Sequence, residues 1–337
     1  MKNKISSVAV IGAGSWGTSL AVLLSNKGIP VRLWAHKQSH VEELSHKREN
    51  NKYLAGIILP KSLEPTASLR GAVEGAELVL MVVPSHGYRD VFSQLIPFLA
   101  EGAKVISAVK GVENNSLSTM HQIMVEELGS KTSTVELGVL SGPSFAKEVA
   151  LNKPTAVTIG FDNIETAQWA QDIFSTDFFR VYTSTDVDGL ELSGAFKNII
   201  AIATGICDGL DFGLNTRAAL ITRGLAEMQR LGVAMKADSA TFSGLSGLGD
   251  LLLTCTGDLS RNRKVGLELG RGNTIEKIEQ EMFMVAEGVK TTLSMYQLAR
   301  KWNIDTPILD EVYNIIYQGK DCLQAVQDLL ARELKPE

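Results

Sequence analysis

Through the first 185 residues, short β-branched runs alternate with segments whose apolar positions recur every three or four residues. Strands are predicted at SVAVIG (7–12), VRLWA (31–35), AELVLMVVP (76–84), KVISAVK (104–110), VELGVLSGP (135–143), TAVTIGF (155–161) and FRVYTS (179–184). Several are apolar throughout rather than alternating, as strands buried on both faces are. Between them the pattern predicts helices at 15–27, closed by Gly28, and at 39–47, opened by a Ser39/Glu42 capping box. Further helices are expected near 86–99, 117–128 and 163–174. This alternation implies an α/β fold with a doubly wound, mainly parallel sheet.

After Tyr182 the strand signals stop. Residues 186–337 read as successive helices broken by glycine at Gly209, Gly213, Gly232, Gly244 to Gly249, Gly270 to Gly272 and Gly288. Two domains are expected, 1–185 and an all-α 186–337, and 337 residues suit two cores better than one. The first helix of the second domain, DVDGLELSGAFKNIIAIATG (186–205), leaves no wide polar face. It is expected to be buried nearly all round, with Thr185 or Asp186 as its N-cap. Lys197 sits in its middle, flanked one turn away by Gly194 and Ala201. Desolvation would lower the pKa of such a lysine and suit it to proton exchange; the plainer reading is a lysine that snorkels to solvent.

Composition narrows the partners. With 45% hydrophobic and 21% charged residues the chain is ordinary globular material. A net charge of -5 and a pI near 5.7 argue against nucleic acid as a partner. Cys207, Cys255 and Cys322 are far apart and odd in number, so no metal motif or disulfide framework is expected, and a reducing compartment fits. No apolar stretch at the start is long enough for a signal peptide or membrane span, and the expectation is a cytoplasmic protein.

GAGSWG, Gly12 to Gly17, fits GxGxxG between a predicted strand and a predicted helix. Gly12 would permit the turn, Gly14 would let backbone approach a pyrophosphate, and Gly17 would let helix pack on strand, as in Rossmann-like domains. The second strand ends in Ala35-His36-Lys37, where an acid reading the ribose of NAD would otherwise stand. His36 and Lys37 suit a 2′-phosphate, so NADP and NAD both remain open; both residues also fit an ordinary solvated loop.

Three further places suit an anion. Lys110 ends a predicted strand at the edge where open α/β sheets bind ligands. In SGPSFAKEVA (141–150), Gly142 ends a strand and Ser144 is placed as the N-cap of a short helix. SGLSGLGDLLLTCTGDLSRNRKVG (243–266) supplies a glycine-rich loop, Asp250, and Ser260-Arg261-Asn262 opening a helix. Ser260 as cap, the Arg261 fork and the first-turn amides together would receive phosphate or carboxylate. An ordinary turn and a solvated basic helix start are the plain alternatives for these last two. Taken together, a nicotinamide site, three cations and one acid suggest a small anionic substrate with a polarisable carbonyl. None of His36, His40, His46, His86 and His121 is placed as a general base, which leaves Lys197 as the proton donor.

At these residues the chain resembles the bacterial NAD(P)-dependent glycerol-3-phosphate dehydrogenases. The resemblance runs through GAGSWGT (12–18), VVPSH (82–86), KG (110–111), SGPSFAKEV (141–149), ELSGAFKNIIAIATG (191–205), NTRAALITRGLAEM (215–228), GLGDLLLTC (247–255), SRN (260–262) and VAEGVKT (285–291). Phe196 and Ser19 depart from it, standing where a smaller aliphatic and an alanine are expected. The resemblance implies NAD or NADP contacts from Ser15, Trp16, His36, Lys110, Ala146, Arg261, Val285 and Glu287. It implies a phosphorylated substrate held by Lys110, Gly142, Ser144, Asp250, Ser260, Arg261 and Asn262, with Lys197 as acid/base and no metal. The implied reaction reduces dihydroxyacetone phosphate to sn-glycerol 3-phosphate, in a homodimer. The alternatives are a hydroxyacid or ketopantoate reductase and a non-catalytic dinucleotide sensor.

Overall fold

A computed structural model describes residues 5–282 and 286–334. Within them run strands β1 Val8–Ile11, β2 Val31–Trp34, β3 Glu49–Asn50, β4 Leu54–Ile58, β5 Leu63–Thr66, β6 Leu78–Met81, β7 Lys104–Ser107, β8 Glu136–Ser141, β9 Thr155–Phe161 and β10 Phe179–Ser184. Eight of them make one sheet in the order β10-β9-β8-β7-β6-β1-β2-β5. Every neighbouring pair is parallel except β8 and β9. Chain order reverses beside β1, between β2 and β6, which is the switch point where such sheets open a crevice.

Successive residues of β1 feed opposite faces. Val8 and Val10 join one core with Leu20, Leu24 and Leu33, while Ala9 and Ile11 join another with Tyr88, Phe92 and Ile123. All four β1 residues are fully buried, which is why this strand reads as apolar throughout. At about 1.5–3 kcal/mol per large aliphatic side chain, the two faces supply most of the drive to fold this unit.

The seven predicted strands form. Three others escape the pattern: the hairpin β3/β4 and the edge strand β5, which contains Pro65 and survives because an edge strand can spare one ladder donor. The predicted Ser39/Glu42 capping box does not form. The helix Gln38–Lys47 starts one residue earlier behind Lys37 with no side-chain cap, and Gln38 Nε2 donates to Glu42 Oε1 at 3.1 Å instead.

The chain divides into two compact units, one running to Lys110 and resuming at Ser118–Glu191, the other made of Gly111–Leu117 and everything from Leu192 onward. Val112 packs in the helical core, where Ser294 Oγ donates to its carbonyl at 3.2 Å. The helix Val187–Gly209 opens on Asp186, whose carboxylate accepts from the Gly189 N–H at 3.0 Å. It is long and apolar enough to cross a membrane, yet its apolar window is buried inside the protein.

Glycine in the helical unit more often marks close packing than a break. The helix Gly213–Ala234 runs straight through Gly232, where a Cβ would lie 2.0 Å from the Phe242 ring. Gly288 likewise lies inside the helix Glu287–Lys301. The helices Val187–Gly209 and Arg261–Gly270 cross at backbone contact: a Cβ on Gly205 would lie 2.1 Å from the Arg263 carbonyl, and one on Gly266 would lie 2.0 Å from the Ile202 carbonyl. That crossing sets Ser260, Arg261 and Asn262 beside the helix that carries Lys197.

Candidate active site

In the sheet unit the glycine turn lies at the switch point. Gly12 has φ 122°, and a Cβ there would lie 2.7 Å from the Val82 carbonyl; a Cβ on Gly17 would lie 1.9 Å from the Gly12 carbonyl. Around Gly14, by contrast, a Cβ would meet nothing within 4 Å. The helix Ser15–Asn26 begins at Gly14 without a side-chain cap, so its amides and dipole face that space. The Trp16 indole nitrogen is buried with no hydrogen-bond partner among the described residues. An open cradle, an uncapped helix start and an unsatisfied donor fit a pyrophosphate and its nucleoside. His36 and Lys37 are exposed at the end of β2, with the His36 ring edge-on to Trp34 at 6.0 Å.

Lys110, Gly142 and Ser144 come together in the same unit. Lys110 Nζ donates to the Gly142 carbonyl at 3.0 Å and Ser144 Oγ donates to that oxygen at 2.9 Å. Gly142 has φ 129°, with its would-be Cβ 3.0 Å from Val157 Cα, so only glycine makes this turn without strain. Ser144 is not the cap of the following helix: Phe145 occupies that position before Ala146–Ala150. The Ala146 carbonyl accepts from Ser19 Oγ at 2.9 Å, which is what the serine at 19 does.

In the helical unit Lys197 is only 6% exposed and does not snorkel to solvent. Its Nζ donates to Asp250 Oδ1 at 2.8 Å and to Thr254 Oγ1 at 2.7 Å. Asp250 is fully buried at the first position of the helix Asp250–Thr256. The expected loop before it is a π-helical turn, Leu245–Gly249, held tight because a Cβ on Gly247 would lie 2.0 Å from the Phe242 carbonyl.

Ser260 caps the helix Arg261–Gly270, accepting from the Arg263 N–H at 3.2 Å. Asn262 Nδ2 donates to Asn198 Oδ1 at 2.8 Å, and Asn262 Oδ1 accepts from the Gly288 N–H at 2.9 Å. Arg261 keeps solvent exposure at the helix start; partial desolvation by the surrounding protein lowers its pKa, and the nearby Glu287 carboxylate opposes that shift. Lys197, Asp250, Ser260, Arg261, Asn262 and Glu287 are therefore one constellation, and Lys110, Gly142 and Ser144 another. Val285 lies outside the described residues.

Two residues of this constellation escaped the sequence reading. Thr254 lies one turn after Asp250 on the same face, a spacing that is the available signal. Asn198 directly follows Lys197, and no local pattern marks it. Phe196 is 1% exposed and belongs to the helical core, so the larger side chain at this position is spent on packing. The three cysteines are free; burial pushes the thiols of Cys207 and Cys255 up to about 12, which leaves them unreactive.

A mainly parallel sheet with its glycine turn at the switch point, joined to a helical unit holding a buried lysine beside a phosphate-type helix start, defines a nicotinamide-dependent oxidoreductase. Comparison with known proteins narrows the class. A family model described as the NAD-dependent glycerol-3-phosphate dehydrogenase N-terminus matches residues 7–167, and its C-terminus counterpart matches 186–327. The chain is similar, at 69% identity over 339 residues and the full length of both, to the glycerol-3-phosphate dehydrogenase (NAD(P)+) of Desulfotalea psychrophila. It is also similar to the crystal structure of glycerol-3-phosphate dehydrogenase from Coxiella burnetii, with TM-score 0.93, 41% identity, and coverage of 97% of this chain and 99% of that one. This chain belongs to the NAD-dependent glycerol-3-phosphate dehydrogenase family. A ketopantoate reductase from Ralstonia eutropha shares 17% identity at TM-score 0.59, covering 95% of this chain and 99% of that one; this is a likeness of fold alone, and that alternative is not favoured.

Proposed function

We propose that this chain reduces dihydroxyacetone phosphate to sn-glycerol 3-phosphate with NAD(P)H, the step that supplies a glycerol backbone for phospholipid synthesis. The observation that carries this reading is Lys197, buried and held by Asp250 and Thr254, on a helix that crosses the one opened by Ser260-Arg261-Asn262. When bound, the nicotinamide supplies the hydride. Lys197 gives a proton to the carbonyl oxygen as it gains negative charge, a role worth about a hundred to ten-thousand-fold in rate. Asp250 and Thr254 fix the direction of the Lys197 ammonium, so that little reorganisation is needed as charge develops.

Arg261, with the first-turn amides of its helix, grips the phosphate; Ser260 and Asn262 hold that helix start in shape. Lys110, Gly142 and Ser144 contribute to substrate binding from the sheet unit, with Lys110 also reaching the cofactor. Gly12, Gly14, Ser15, Trp16, Gly17, His36, Lys37, Ala146 and Glu287 belong to the dinucleotide site. The absence of an acid at 35–37 favours acceptance of NADP alongside NAD. The working form is a homodimer in the cytoplasm, a reading that the family resemblance supports.

The phosphate grip is tested in the direction of oxidation. Glycerol 3-phosphate should turn over and glycerol should not, and equal rates with the two would contradict the reading. Arg261→Ala should raise KM for glycerol 3-phosphate by about ten to a hundred-fold, the worth of a charged hydrogen bond, and an unchanged KM would remove Arg261 from the site.

A further inference from the structure

We propose that Asn50, at the end of the small strand β3, is a positioning residue for the dinucleotide: it fixes the peptide plane that aims the glycine turn at the pyrophosphate. The inference rests on the reading of Gly12 to Gly17 as the dinucleotide site. Asn50 is fully buried although it stands outside the large sheet, and its carboxamide is fully engaged. Its Nδ2 donates to the Ala13 carbonyl at 3.0 Å and to Thr18 Oγ1 at 2.7 Å, and its Oδ1 accepts from the Tyr53 N–H at 3.3 Å. A buried amide that bonds both the loop and the first turn of the next helix, 37 and 32 residues away in sequence, is there for those two groups.

The consequence follows from peptide geometry. The described chain has no cis peptide bond, so the Ala13 carbonyl and the Gly14 N–H point in opposite directions. With Asn50 holding the carbonyl on the hairpin side, the Gly14 N–H is turned away from the hairpin, and the surroundings of Gly14 are the open part of the turn. The hairpin makes a second tie one residue on, where Ser15 Oγ donates to the Tyr53 carbonyl at 2.6 Å. Thr18, the other acceptor of Asn50, donates its own N–H to the Gly14 carbonyl at 2.9 Å, so both sides of Gly14 are set from the same side chain. The hairpin β3/β4 is thus a clamp on the phosphate turn. Binding to a turn already held in its working shape avoids the cost of ordering it.

Competition against NADH fluorescence by ADP and by adenosine tests this, because the ratio of their inhibition constants isolates what the phosphates contribute. In the unaltered protein, displacement of bound NADH by ADP checks the dinucleotide reading itself; if no NADH binds, that reading fails and not merely the role of Asn50. In Asn50→Leu, close in size and uncharged, the adenosine-to-ADP ratio should fall about tenfold with adenosine itself changed less than twofold. Equal weakening of both ligands would make Asn50 a merely structural residue, and an unchanged ratio would likewise overturn the proposal. If Asn50→Leu does not fold, Asn50→Ser, whose hydroxyl is too short to reach the Ala13 carbonyl, is read by the same ratio with the same outcomes.

Discussion

A buried ammonium is costly unless an anion accompanies it, and at Lys197 the companion is Asp250, 2.8 Å away and equally buried. The pair therefore ties chemistry to stability, and a single substitution disturbs both. Lys197→Ala should lose about a hundred to ten-thousand-fold in turnover while NADH still binds. It should also lose about 3–5 kcal/mol in urea denaturation, because Asp250 is left uncompensated. Lys197→Met combined with Asp250→Leu should regain most of that stability and none of the turnover. A double variant that is stable and active would show that the pair is structural and that the proton comes from elsewhere. The anomaly of a lysine in an apolar helix was legible in the sequence, since few residues stand out so clearly from their neighbours. Its partner Thr254 was not, because a threonine on a helix has too many ordinary reasons to be there.

Elements were legible where their burial was uniform. The strands β1 and β6 carry apolar residues on both faces and left an unbroken signal, whereas β5 carries Glu64 and Pro65 at the sheet edge and left none. Helix caps were legible only when they were local. Ser260 caps its own helix and was read correctly; the helix Pro307–Gln318 is instead capped from a distance by Glu227, whose carboxylate accepts from the Ile308 and Leu309 N–H groups at 2.8 and 3.2 Å.

That distant cap has a pH signature. Burial pushes the Glu227 carboxyl up to about 7, against an ordinary value of 4.5. A raised folded-state pKa means that the folded protein holds its proton where the unfolded chain has released it. The stabilising preference is complete below about pH 4.5 and is lost as pH rises towards 7. Urea melts across that window should show stability falling with pH from this group, and Glu227→Gln should flatten the slope while keeping the oxygen acceptor. An identical slope in the variant would show that Glu227 does not titrate in this range.

For the whole molecule, order along the chain reflects function only loosely. The residues of the helical-unit constellation span from Lys197 to Glu287, and the hairpin that clamps the phosphate turn comes from a stretch with no strand signal. The alternation of strands and helices followed by helices alone was enough to read an α/β sheet unit and a helical unit. It was not enough to show Gly111–Leu117 packing with the helical unit, since seven residues inside an α/β pattern carry no mark of where they dock. Substrate identity is legible at neither level by physics alone: a cationic helix start binds phosphate or carboxylate, and the family decides between them. Oxidation of NADH and NADPH, followed as loss of reduced-nicotinamide absorbance with dihydroxyacetone phosphate or ketopantoate as the acceptor, tests that choice most directly. Turnover is expected with dihydroxyacetone phosphate and none with ketopantoate; turnover with ketopantoate and none with dihydroxyacetone phosphate would contradict the assignment of this chain to glycerol-3-phosphate chemistry.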